Sequence, residues 1–115
     1  MNHTMGVYEE YFTAIKEGKK TVEVRLHDEK RRNINIGDTI EFTNLPSRDE
    51  TIKVQVTDLK SYKTFPAMYQ DIPYRYFGEE EISLEEMVEG TYQIYTPDQE
   101  ARWGTLAIWI VLLAD

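Results

Sequence analysis

The chain has 115 residues, thirteen lysines and arginines against twenty-one acidic residues, and a formal charge of −8, with 41% apolar residues including eight tyrosines, four phenylalanines and two tryptophans. That balance belongs to a folded domain with one modest core, and residues 1–115 read as a single domain. No cysteine is present, which excludes disulfides, zinc fingers, iron–sulfur clusters and thiol nucleophiles; the longest apolar run, Leu106 to Ala114, is too short to cross a bilayer as a helix, and no apolar leader follows the first Met, so the expected home is the cytoplasm.

In chain order, Val7, Tyr8, Tyr11, Phe12 and Ile15 recur at helical spacing and predict an amphipathic helix over residues 7–17, with Gly18 as its left-handed cap and Lys16 in the last turn. Thr21 to Leu26 alternates strictly, so Val22, Val24 and Leu26 form a core face and Thr21, Glu23 and Arg25 a polar one. Asn35-Ile36-Gly37-Asp38 is a turn before a strand over 39–43 with Ile40 and Phe42 inward, and a third strand near 50–59 carries Ile52, Val54 and Val56; the two predict an antiparallel hairpin. Thr64, with Pro66 behind it, opens a helix that Pro73 ends. Ser83 and Glu86 form a capping box for a helix burying Leu84, Met87 and Val88 and closed by Gly90. Thr91 to Tyr95 is a strand candidate, and Thr96-Pro97-Asp98-Gln99 opens a last helix that ends at Gly104. Thr105 to Leu113, apolar on both sides, predicts a central strand buried on both faces. The parallel βαβ rhythm is missing, so the expected class is α+β, a small mixed or antiparallel β-barrel with helices packed outside.

The charge is unevenly spread. Residues 16–32 hold seven basic and four acidic side chains, a local +3 that leaves −11 on the rest. A positive patch on an acidic body attracts one anionic ligand while repelling bulk polyanion, although a solvated charged face has the same composition. Within this stretch, Lys20, Glu23 and Arg25 bring an ammonium, a carboxylate and a guanidinium to one helix–strand junction. Desolvated, such a cluster can hold a planar polar ligand, or a Lys and a Glu can activate water; left exposed, it is a row of surface ion pairs of little energetic weight.

Gly18-x-Lys20-x-x-Glu23-x-Arg25 matches the G-x-K-x-x-E-x-R signature of the ASCH family (activating signal cointegrator homology domains), which resembles the PUA superfamily of RNA-binding domains. The Gly37-Asp38-x-Ile40-x-Phe42 strand and Tyr95-x-x-x-x-Glu100-x-x-x-Gly104 before an apolar last strand are similar to the family's layout, so the resemblance covers residues 3–113. It implies a PUA-like barrel with a cleft lined by the signature strand and by the loop before the last strand, and an RNA- or nucleotide-binding role. One branch of the family hydrolyses an acetylated cytidine with a Lys, a Thr and a Glu. Its Lys matches Lys20, its Thr position is Glu23 here, and its Glu falls near Glu80; Thr21 shares the face of Glu23 but does not occupy the Thr position.

Further candidates surround this motif. Lys30, Arg31 and Arg32 suit phosphate contacts or an ordinary charged loop. Tyr62, Phe65, Tyr69, Tyr74, Tyr76 and Phe77 crowd one region as a stacking platform or as core. Trp103 walls the cleft or caps its helix, and Glu79 to Glu81 with Glu85 and Glu86 form a solvated face able to repel non-cognate RNA. His3 and His27 are the only histidines and lack metal-ligand spacing, so no metal and no cofactor are expected.

The leading expectation is therefore a module binding RNA or a nucleotide-like small molecule, with no membrane partner, through Gly18, Lys20, Glu23, Arg25, Lys30, Arg31 and Trp103. Single-stranded RNA is favoured because only splayed bases reach a cleft. The alternatives are a small hydrolase of modified nucleosides or RNA using Lys20 and Glu23, and a protein-interaction domain working through its acidic face. The first reading expects Arg25→Ala or Glu23→Ala to abolish binding without loss of stability.

Overall fold

In the computed structural model, which describes residues 1–113, five strands curl into one half-barrel sheet in the order β1-β3-β4-β5-β2. They are β1 (Asn2–Tyr8), β2 (Val22–Leu26), β3 (Thr39–Leu45), β4 (Thr51–Tyr62) and β5 (Thr105–Leu112). Four helices accompany them: α1 (Glu9–Lys16), α2 (Phe65–Asp71), α3 (Leu84–Thr91) and α4 (Pro97–Trp103). Ala114, the end of the apolar run, lies outside the described residues. No helix among the described residues is long and apolar enough to cross a membrane.

The hairpin forms as its alternation requires. Ile40 faces Val54 and Phe42 faces Ile52 across the antiparallel β3–β4 ladder, and Ile40, Phe42 and Val54 are fully buried. A bulge between Val56 and Asp58 then redirects β4, which continues along β5. β5 sits between β4 and β2 and is buried from Thr105 to Ile108 and at Ile110; Val111, Leu112 and Leu113, expected inside, are exposed, because β2 stops opposite Trp109 and no longer flanks them. Leu106, Ile108 and Ile110 enter the barrel core with Phe12, Ile15 and Phe42. Ala107 and Trp109 face an outer layer where Val22 meets Met68, Phe77 and Met87 of the helical region. Each fully buried aliphatic or aromatic side chain in these layers contributes roughly 1.5–3 kcal/mol.

Local capping positions the helices around this sheet. Thr64 Oγ1 accepts Ala67 N–H at 3.2 Å to start α2. Both capping boxes are complete, Ser83 with Glu86 on α3 and Thr96 with Gln99 on α4. Gly104 ends α4 at φ 72° and ψ −173°, a backbone region essentially reserved for glycine. Glu100 ties the helices together: buried, its carboxylate accepts Phe65 N–H at 2.7 Å and the Tyr92 hydroxyl at 2.9 Å.

Further expectations are corrected. Residues 7 and 8 are strand rather than helix, because β1 pairs in parallel with β3, Met5 opposite Phe42 and Val7 opposite Asn44, and this long-range ladder claims the chain before α1 begins. Thr91 to Tyr95 is no strand: α3 runs through Gly90 to Thr91, and Tyr95 N–H returns to the Thr91 carbonyl at 3.0 Å in a local turn. Leu84, expected inside, is exposed in the first turn of α3, so Met87 alone anchors that helix as a buried residue.

Candidate functional site

β1 and β2 are the two edges of the sheet and do not pair with each other. The gap between them is a cleft of about 190 Å³. Gly6 and Tyr8 form its β1 side, Glu23 and Arg25 its β2 side, and α1 and α3 contribute Tyr11 and Met87. At this opening the alternation of β2 acquires its purpose. Val22 and Val24 pack outward against the α2–α3 layer, while Glu23 lies opposite Ile108, a residue of the barrel interior. The polar face predicted for β2 is thus turned into the barrel's unclosed mouth, and Glu23 is only 5% exposed.

Lys20, Glu23 and Arg25 converge there. Gly18 (φ 79°) ends α1 in a left-handed turn, and the Lys20 that follows makes an isolated bridge to Phe77 just ahead of β2. Its Nζ lies 3.4 Å from Glu23 Oε1 and above the rings of Tyr11 and Phe77, at 5.4 and 5.9 Å from their centroids. Arg25 Nη2 donates to Glu23 Oε2 at 2.9 Å and to the Gly6 carbonyl at 2.8 Å, spanning the two sheet edges with one guanidinium. Arg25 Nε donates to Glu23 Oε2 at 3.3 Å, and Val24 N–H donates to Glu23 Oε1 at 3.0 Å.

Glu23 is therefore fully engaged by its own neighbours. Burial pushes its carboxyl up, but the charges of Lys20 and Arg25 and the Arg25 and Val24 hydrogen bonds outweigh this and hold it below the ordinary glutamate range. Arg25 is shifted the opposite way: burial opposes its charge, and Glu23 overcomes that and raises it. The donors left over are those of Lys20 Nζ beyond its Glu23 contact, and Arg25 Nη1, which hydrogen-bonds to nothing among the described residues.

Tyrosines wall the cleft. Tyr69 and Tyr95 line it with Tyr11, and burial pushes Tyr69 up to about 12 and Tyr95 and Tyr11 above the usual phenol range. Tyr69 also bonds Thr91 Oγ1 at 2.6 Å, which fixes its ring. Tyr8 and Ile94 are exposed at the rim.

The remaining sequence candidates fall elsewhere. Gly18, Lys30, Arg31 and Trp103 are not in the cleft lining. Arg31 pairs with Asp28 at 2.9 Å, Lys30 is exposed, and Trp103 lies under the Arg102 guanidinium at 4.8 Å. Glu80 is exposed, and its neighbour Glu79 reaches the cleft instead. Thr21 is not in the lining either; its backbone is held by Tyr76 and Ile110. Of the aromatic group, Phe65 and Phe77 are core, Tyr69 faces the cleft, and Tyr74 and Tyr76 are exposed. Sequence reasoning missed Tyr8, Tyr11, Tyr95 and the Gly6 carbonyl. A signal was present, in that tyrosine rather than leucine or phenylalanine occupies these positions and brings a polar tip to an apolar wall.

Burial also changes what truncation would do. Replacing Glu23 leaves the buried Lys20 and the largely buried Arg25 without their counter-ion, so the change costs stability, contrary to the expectation of an unaltered melting temperature.

Two solved structures match the whole chain: the hypothetical protein PH0355, at 36% identity over 98% of this chain and 100% of that one with a TM-score of 0.88, and protein PF0455 from Pyrococcus furiosus, at 33% identity over 100% of both with a TM-score of 0.78. The ASCH protein from Zymomonas mobilis shares the fold, with a TM-score of 0.63 at 16% identity over 94% of this chain and 65% of its own. No curated protein matches the sequence. The ASCH domain family matches residues 5–113, nearly the whole described chain and including all three members of the buried charge cluster, and the chain belongs to that family.

Proposed function

We propose that the cleft binds one splayed nucleobase, from single-stranded RNA or a free nucleoside. The observation that carries this reading is the division of labour in the charge cluster. Glu23 is spent on holding Lys20 and Arg25, which leaves their spare N–H donors facing an aromatic-walled cavity. A base carbonyl suits those donors, the tyrosine rings suit a flat π face, and Glu79 offers an acceptor for an amino edge. The volume of about 190 Å³ is below the roughly 300–1,000 Å³ of sites for larger ligands, which favours a single base over a longer segment. The cluster's net charge of +1 against Glu79 and Glu86 in the same lining disfavours a bare phosphate as the main occupant.

The hydrolase alternative is less well supported. A general base needs a free lone pair near its substrate, and Glu23 already accepts hydrogen bonds from Val24 and Arg25 and is ion-paired to Lys20, while its carboxyl is held below the ordinary glutamate range.

The test is ligand-observed NMR of the four ribonucleosides and short single-stranded RNAs against the wild type and Lys20→Met. Saturation transfer to base protons that is lost in Lys20→Met, with the fold retained by circular dichroism, supports the reading. Absence of transfer from every nucleoside refutes it.

A further inference from the structure

Five of the six glycines are accounted for by the fold itself. Four hold a positive φ, and at Gly6 a Cβ would come to 2.5 Å from Leu45 Cδ1. Gly90 is different. Its φ is not positive, and α3 continues past it to Thr91. A Cβ built on it would meet no atom within 4 Å other than its chain neighbours and its own helix backbone. Glycine inside a helix weakens that helix relative to alanine, through the backbone entropy it loses on folding. Nothing in the fold requires this one, and it stands in the lining of the cleft.

Of the described residues that line the cleft, only Tyr8, Glu86, Gly90 and Ile94 are exposed, so they form its rim. Tyr8 stands on β1. Glu86 and Gly90 lie one turn apart on a single face of α3, and Ile94 follows in the turn after the helix, its N–H bonded to the Thr91 carbonyl at 2.9 Å. The helical side of the rim thus carries side chains at 86 and 94 and a gap between them at 90. The floor of that gap is bare backbone, and the Gly90 carbonyl already accepts Gln93 N–H at 3.2 Å. What the gap offers a ligand is shape rather than a hydrogen bond.

Resting on the nucleobase reading above, we propose that Gly90 is the notch through which the ribose of a bound nucleoside leaves the cleft. A base held by Lys20 and Arg25 lies among buried and half-buried residues, and the sugar on its glycosidic nitrogen must cross the rim. A furanose ring is thicker than a flat base, and it passes where no Cβ stands. Glu86 beside the notch accepts Ser83 N–H through Oε1 at 3.3 Å and has Oε2 left to accept from a ribose hydroxyl, while Ile94 offers an apolar surface to the sugar's C–H edge. The site is fitted in this way to nucleosides and chain nucleotides rather than to free bases. Selectivity comes from a side chain left out, at a small cost in helix stability.

The experiment compares the wild type with Gly90→Ala. Thermal unfolding of the free proteins should give the variant a Tm higher by about 2–4 °C. NMR titrations use uracil, cytosine and adenine and their ribonucleosides. The variant should bind nucleosides about tenfold more weakly, as one methyl group forced into filled space requires, and the free bases within about twofold of wild type. In the wild-type complex, nuclear Overhauser effects should connect the Gly90 Hα protons to ribose protons and not to base protons. A variant less stable than wild type means that Gly90 serves the fold, and overturns the inference. An equal loss of affinity for base and nucleoside, no loss for either, or Overhauser contacts from Gly90 to base protons alone overturns it too. Each of these leaves the nucleobase reading standing. Failure of the wild type to bind any base or nucleoside removes the nucleobase reading itself, and the notch with it.

Discussion

Glu23→Gln is the most informative single change in this domain. It preserves the shape of the side chain but removes the charge that neutralises Lys20 at 3.4 Å and Arg25 at 2.9 Å. The amide also presents a donor where the carboxylate accepted from Arg25 and Val24. Removing one partner of a buried ion pair costs about 3–5 kcal/mol. The low end applies here because the cluster borders an open cleft and Arg25 retains 12% side-chain exposure, so the expected loss is about 3 kcal/mol. For a chain near a hundred residues this corresponds to a fall in Tm of about 12 °C. Thermal unfolding followed by circular dichroism measures it directly. Combining Lys20→Met with Glu23→Gln should recover part of the loss, because one of two unneutralised cations is then gone. A Glu23→Gln protein melting within about 3 °C of wild type would refute the claim that this trio is a desolvated, mutually dependent unit.

Other consequences follow from the same geometry. Asp38 accepts from His3 at 2.8 Å and from Asn35 N–H at 3.0 Å, which together with the N-terminal ammonium hold its carboxyl down to about 2. Its folded pKa lies below its unfolded one, so its contribution is complete above the ordinary aspartate range and disappears as pH falls toward 2; acid titration should show a steeper stability loss in wild type than in Asp38→Asn. Tyr69 and Tyr62 are pushed up to about 12, principally by burial, and these raised values make stability fall as pH rises from about 10 to about 12. In a spectroscopic titration, phenolate absorbance should keep growing well past the ordinary tyrosine range, and Tyr69→Phe should remove part of that late increment. Gly104→Ala should destabilise by about 1–3 kcal/mol in denaturant unfolding, since its backbone angles suit only glycine and a Cβ would come to 3.0 Å from the Tyr62 carbonyl.

What the sequence disclosed tracks the range of the interactions involved. Capping boxes at Ser83 and Thr96 and the alternation of β3 and β4 are written within a few residues, and the structure contains them. β1 was hidden because its partner lies some thirty-seven positions away, Asn2 against Thr39, and Val7 and Tyr8 also fit the apolar stripe of the helix that follows. The motif residues Lys20, Glu23 and Arg25 could be placed on one strand and its preceding turn. Their burial could not, because it depends on Gly6 across the sheet edge and on Tyr11 and Phe77 above the ammonium. Glu79 rather than Glu80 reaching the cleft is a one-residue difference in a loop without periodicity, and no local pattern distinguishes the two.

Every other neighbouring pair of strands in this sheet is locked by main-chain ladders, whose register can change only in whole residues. Across the mouth, spacing is instead set by the reach of one guanidinium from Arg25 to the Gly6 carbonyl. Aperture in this architecture is thereby a side-chain property: a shorter or longer bridging residue would narrow or widen the opening by fractions of an ångström while every ladder stayed where it is.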